Sequence, residues 1–167
     1  RMRSSTLFNS DLAPPFNAAR AFRSLSAEDE LDWVSAIIAA TPDEVRAVLG
    51  MNRGVFLLIV NTPGECVIGG LRPEVLKVAE TLARPLTLLR GVTLAHCEAA
   101  GSVEEPYREL HTLPVTPPDQ ATIYSGAWGK SYTPTDRNCA YSITAGLLNT
   151  IDFPAVIEAA YRDGVRF

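Results

Sequence analysis

The texture of apolar and polar positions changes at about residue 31. Before it, residues 1–30 mix Ser, Pro and Asn with scattered apolar side chains, which predicts a helix end, then irregular chain, and no core of its own. Asp32-Trp33-Val34-Ser35-Ala36-Ile37-Ile38-Ala39 is a short apolar, β-branched run that predicts a buried strand. Thr41 then opens a helix. It can cap, Pro42 takes the first helical position, Glu44 completes the S/T-x-x-E box, Val45, Val48 and Leu49 form the apolar face, and Gly50 is the stop. Val55-Phe56-Leu57-Leu58-Ile59-Val60 and Cys66-Val67-Ile68-Gly69-Gly70 flank the turn Asn61-Thr62-Pro63-Gly64-Glu65 and predict a hairpin.

Residues 72–83 place Val75, Leu76, Ala79 and Leu82 at helical spacing behind Pro73, with Pro85 closing the helix. Leu86-Thr87-Leu88-Leu89 and Val92-Thr93-Leu94-Ala95 then supply extended apolar residues. The order over residues 31–95 is β-α-β-β-α-β, the split βαβ or ferredoxin-like plan, and the fold class is α/β. Beyond it, residues 98–113 read as helix, 114–119 as a proline-rich connection and 122–125 as a strand end. Helices are expected over 140–148 and 154–161, and a final strand at Val165. No internal repeat or low-complexity tract is present.

With 47% apolar and 20% charged residues, the 167-residue chain is expected to pack a core of one domain or slightly more. Lys and Arg total 15 against 19 acids and form no basic stripe, which argues against a nucleic-acid partner. No window approaches the roughly 18 apolar residues of a membrane span, and no signal-peptide core follows the first residues, so a cytoplasmic protein without a membrane partner is expected. Cys66, Cys97 and Cys139 are widely spaced with no C-x-x-C, consistent with reduced thiols. The chain does not begin with Met and ends where a strand is expected to start, so we expect a piece of something longer.

Two histidines are the first candidates for chemistry. His96 follows the last predicted strand and precedes a helix. Such a residue is either packed or capping, or it is presented to a cleft. His111 lies at a polar helix end and is expected in solvent. Gly126-Ala127-Trp128-Gly129-Lys130-Ser131 resembles the tail of a P-loop, but the required first glycine would fall on Tyr124, so a glycine-rich surface turn is the better account. His96-Cys97 has no second ligand pair at zinc spacing, and Cys97 reads as a small packed residue. Glu104, Glu105 and Asp136 read as solvated acids, and Trp33 and Trp128 as packing residues.

Taken in order, these pieces resemble the second half of a malonyl-type acyltransferase domain, the loading unit of fatty-acid, polyketide and polyunsaturated fatty-acid synthases. Asn61-Thr62-Pro63-Gly64-Glu65-Cys66-Val67-Ile68-Gly69-Gly70 resembles the family's N-[ST/A]-P-x-x-x-V-[IVL]-[SA]-G segment, and Ala95-His96-Cys97 is similar to its catalytic-histidine motif. Ile123-Tyr124-Ser125-Gly126 resembles its P-x-x-S strand, and Ile151-Asp152-Phe153-Pro154 its P-V-x-F. The texture of residues 3–8 and 151–161 looks closest to acyltransferases of iterative polyketide and polyunsaturated fatty-acid synthases.

The resemblance implies a ferredoxin-like small subdomain over residues 31–95. Residues 1–30 would end a large-subdomain segment, and residues 96–167 would return into the α/β-hydrolase-like core. It implies transfer of malonyl from malonyl-CoA, through a seryl ester, to the phosphopantetheine thiol of an acyl carrier protein inside a larger synthase. His96 would be the general base, and Arg3 the guanidinium that forks onto the malonyl carboxylate, with Arg1 the competing assignment. No metal or bound cofactor is implied, since CoA is a substrate.

Three departures stand out. No G-x-S-x-G elbow occurs in the 167 residues, so the serine would lie outside them. Leu94-Ala95 replaces the usual pair before the histidine, and the family's histidine-orienting glutamine aligns with Gly146, where a backbone oxygen could serve. Against the enzyme reading stand a ferredoxin-like ligand-binding or docking module with His96 merely structural, and a degenerate docking remnant of a synthase.

Overall fold

The structure is a computed structural model and describes residues 5–50, 54–117 and 119–166. Ahead of the first predicted strand, Leu7–Asp11 make a π-helical turn and Asn17–Phe22 a short helix, α1. Contrary to expectation, this segment contributes to the core: Leu7, Leu12, Phe16, Ala18 and Ala19 are buried. Their spacing fits neither a strand nor a long helix, so no periodic signal marks them.

From residue 33 the chain runs β1 (Trp33–Ile38), α2 (Pro42–Leu49), β2 (Val55–Thr62), β3 (Glu65–Leu71), α3 (Arg72–Leu82) and β4 (Leu86–Leu88). Thr41 caps α2 as its sequence predicts. Its hydroxyl accepts from the Glu44 N–H at 3.3 Å, and the Glu44 carboxylate accepts from the Thr41 N–H at 2.7 Å. A 3-10 segment, Glu98–Val103, leads into α4 (Glu104–His111), so the stretch read as one helix is a 3-10 piece followed by a short α-helix. The hairpin β5 (Ile123–Ser125) and β6 (Lys130–Tyr132) follows, then α5 (Asp136–Leu148), β7 (Ile151–Asp152) and α6 (Phe153–Arg162).

Among the described residues the main sheet has the order β4-β1-β3-β2-β7. The first four strands pair antiparallel with their neighbours, and β7 joins the β2 edge in parallel. Side chains alternate across the sheet as the pleat demands. Val34, Ala36, Ile38 and Ile68 face Val45 of α2 and Val75 and Val78 of α3. Trp33, Leu58 and Val67 face the opposite way, against Leu12, Phe16, Leu94 and Leu147. The alternation slips where Leu58 and Ile59 both turn to that second face, and there the β2–β3 register shifts in a bulge. Full burial of a side chain such as Ile68 or Val75 stabilises the fold by about 1.5–3 kcal/mol.

Two expected strands are absent. Residues 92–95 do not pair. Leu94 is instead fully buried in an irregular crossing, its N–H donating to the Leu12 carbonyl at 2.7 Å. Val165 closes α6 rather than starting a strand. Gly164 takes φ +94°, and the Val165 N–H reaches back to the Ala160 carbonyl at 3.0 Å, the six-to-one bond of a helix stop.

Candidate functional site

His96 is fixed from both sides along the chain. Leu94 is anchored as above, and Cys97 is buried with its N–H donating to the Leu147 carbonyl at 3.1 Å. Between these anchors His96 takes φ +63°, a left-handed conformation uncommon for a residue with a Cβ and held here by its neighbours. Such strain, at a half-buried histidine, is the kind of outlier that motivates a functional reading.

The end of α5 sets the orientation of the ring. The last four carbonyls of a helix have no donor within it. Ala145 receives both the N–H and the side-chain amide of Asn149, Leu147 receives Cys97, and Gly146 receives the imidazole Nδ1 of His96 at 2.5 Å. A carbonyl can only accept, so Nδ1 carries the hydrogen, and the neutral ring keeps its lone pair on Nε2. Gly146, which the sequence comparison set opposite a glutamine of the acyltransferases it resembles, meets the ring through its backbone oxygen.

His96 lines a cleft of about 370 Å³ together with Arg46 and Leu49 of α2, Phe56 and Leu57 of β2, Glu98, Asn149 and Thr150. Thr150 ties the two sides together, its hydroxyl donating to the Leu57 carbonyl at 2.7 Å. Sequence reading missed Arg46, Glu98, Asn149 and Thr150. Residues 46 and 149 lie about fifty positions either side of His96, and no local spacing links them.

The other candidates scatter. Arg1 and Arg3 lie outside the described residues. His111 is half-buried rather than solvated, with Nδ1 donating to the Tyr107 carbonyl at 2.7 Å and its ring 4.2 Å from that of Tyr107. In the Gly-Lys-Ser segment Gly129 ends the β5–β6 turn at φ +61°, and Lys130 and Ser131 begin β6. Asp136 accepts from the Val115 N–H at 2.8 Å, and Glu104 pairs with Arg108 at 3.0 Å. Trp33 is buried and stacked on Phe56 at 6.0 Å, and Trp128 meets Tyr132 edge-on at 5.3 Å. Among the described residues no group of three or more His, Cys, Asp or Glu is placed to hold a metal ion, and no helix is long and apolar enough to cross a membrane.

Cys97 is buried where it borders the same cleft. Burial pushes its thiol up to about 12. In the folded protein at pH 8, Cys97 should therefore resist iodoacetamide and react only after unfolding in urea, as peptide mass spectrometry would read. Because the folded state keeps this proton after the unfolded chain has lost it, stability should fall as pH rises from the ordinary thiol value of 9 towards 12.

The fold is that of part of the acyltransferase domains of known structure. The chain superposes on the acyltransferase domain from the second module of the salinomycin polyketide synthase with a TM-score of 0.68 and 22% identity, covering 90% of this chain and 35% of that one. Against the malonyl-CoA:acyl carrier protein transacylase of Helicobacter pylori the TM-score is 0.73 at 12% identity, over 88% of this chain and 46% of that one. FabD of Acinetobacter baumannii gives 0.68 at 16% identity, over 91% and 49%. The chain therefore spans about a third to a half of the length of these structures. No protein-family model and no curated protein matches the sequence at a significant level.

Proposed function

We propose that this chain is the histidine-bearing part of an acyltransferase that moves a malonyl group from CoA to the phosphopantetheine thiol of an acyl carrier protein. The observation that carries the reading is the ring of His96, tethered through Nδ1 to Gly146 and holding its Nε2 lone pair free beside a cleft.

In this mechanism a serine hydroxyl, supplied from outside these residues, gives its proton to Nε2 as its oxygen attacks the thioester carbonyl. The C–S bond breaks, and the departing CoA thiolate takes that proton, leaving a seryl ester. The carrier thiol then repeats the two steps in reverse order. Electrons and protons balance without a resident cofactor or metal.

The reading extends to the architecture. Residues 31–95, with four antiparallel strands in the order β4-β1-β3-β2, would be the ferredoxin-like small subdomain, and residues 1–30 and 96–167 would belong to the large α/β subdomain. Neighbouring synthase domains and a carrier domain would be its partners, in the cytoplasm where CoA thioesters are found. Arg3 would fork onto the malonyl carboxylate. The test uses the intact polypeptide. It should become covalently malonylated by malonyl-CoA and pass the label to a holo carrier protein, and absence of any labelled enzyme would remove the reading. Arg3→Ala should slow malonyl transfer at least tenfold more than acetyl transfer, because only malonate offers a carboxylate. Equal losses would assign the clamp to Arg1 or leave Arg3 a structural residue.

A further inference from the structure

We propose that Arg46 is an anion anchor of the His96 cleft, gripping an oxyanion of the incoming thioester. The inference rests on the acyltransferase reading for the identity of its ligand. Its geometry stands apart from that reading.

Arg46 and His96 line the same cleft from opposite parts of the fold, one on α2 and the other beside the end of α5. The backbone under Arg46 is fixed, since its neighbour Val45 is fully buried between sheet and helices. The side chain itself is free to be recruited. It is 55% exposed, and its partner among the described residues is Asp43, at 3.1 Å, whose carboxylate is 95% exposed. A pair that open to water is weak and screened by salt, so an arriving ligand can displace it. Among the described residues lining the cleft, Arg46 carries a cation and Glu98 an anion.

The chemistry of the guanidinium narrows the ligand. Its planar fork binds a carboxylate or a phosphate through two parallel hydrogen bonds, which a lysine cannot reproduce. A thioester reaching His96 carries oxyanions of both kinds, the free carboxylate of malonyl and the phosphate of the pantetheine arm. The chain has a formal charge of −4, which opposes an anionic substrate, and a cation in the cleft reverses that field where the ligand must enter.

The test is calorimetric titration of the intact polypeptide and its Arg46→Ala and Arg46→Lys variants. The probes are amide analogues in which nitrogen replaces the thioester sulfur, so that binding is read without turnover: malonyl-CoA, acetyl-CoA and phosphate-free malonyl-pantetheine. Arg46→Ala should weaken the malonyl-CoA analogue about tenfold or more, and Arg46→Lys should recover only part of the loss. A matching loss on the acetyl-CoA analogue but not on malonyl-pantetheine identifies the phosphate as the anion held, and the reverse pattern identifies the carboxylate. Unchanged affinity for all three probes, an equal loss on all three, or no binding even by the unaltered polypeptide overturns the proposal. Arg46-dependent binding without any acyl-enzyme would sink the acyltransferase reading alone, whereas normal acylation with Arg46-independent binding would sink this inference alone.

Discussion

Replacing His96 with asparagine is expected to lower the rate of acyl-enzyme formation from malonyl-CoA by about 10²- to 10⁴-fold while leaving the fold intact. Asparagine is chosen for a structural reason. Its amide nitrogen can donate where Nδ1 donates to the Gly146 carbonyl, and it tolerates the left-handed backbone at φ +63° better than most residues. It has no counterpart of Nε2. Alanine removes both functions, so it should also leave a helix-end carbonyl without its donor, at a cost of about 1–3 kcal/mol. The pair of variants separates positioning from proton transfer. Intact-mass measurement of the malonylated polypeptide over time reads the rate, and urea denaturation reads the stability. Acylation by His96→Asn at the unaltered rate would show that the imidazole is structural and would favour the non-catalytic module.

The second large effect concerns the scaffold. Gly70→Ala should destabilise the protein by about 3 kcal/mol, a large part of the roughly 5–15 kcal/mol that holds a typical domain folded. The chain enters β2 directly over Gly70. A Cβ there would collide with the Gly54 carbonyl oxygen and lie 3.1 Å from the Cα of Val55. Those atoms are backbone, at the first residue of the strand that Gly70 pairs with and the residue just before it, so relief requires prying the start of β2 from β3. Gly64, in the turn of the same hairpin, is the internal control. A Cβ at Gly64 meets nothing within 4 Å, so Gly64→Ala should change stability by less than about 0.5 kcal/mol. Urea midpoints at constant slope would measure both. A Gly70→Ala protein as stable as the parent would mean that the entry to β2 yields easily, and that the glycine in the N-T-P-x-x-x-V-I-G-G segment has no steric basis.

Local chemistry was readable from the sequence wherever the physical cause spans a few residues. The Thr41–Glu44 box and the Asn61–Glu65 turn depend on partners a few residues away, and each is found where the pattern puts it, whereas on α3 Val75 and Ala79 are buried as expected but Leu76 is exposed and Val78 takes its place in the core. Signals failed where one pattern serves two structures. Residues 86–89 and 92–95 look equally strand-like, yet only Leu86–Leu88 finds a free edge, that of β1. Leu94 is buried with no strand partner among the described residues. An apolar run reports burial, and burial does not distinguish a sheet from a crossing segment. The same holds for Leu7, Leu12 and Phe16, whose role in the core depends on a sheet formed later in the chain.

The site divides in the same way. By itself the sequence determined that residue 96 is an imidazole at an element boundary, and that its surroundings follow an acyltransferase-like order of motifs. Only tertiary structure decided which nitrogen is free, because that depends on a carbonyl fifty residues away at the end of α5. It also brought Arg46 into the same cleft, through packing of α2 on the sheet. A hydrogen bond or a shared cavity between distant residues leaves no periodic mark along the chain. The ring's chemistry was written in the residue, and its direction was set by the fold.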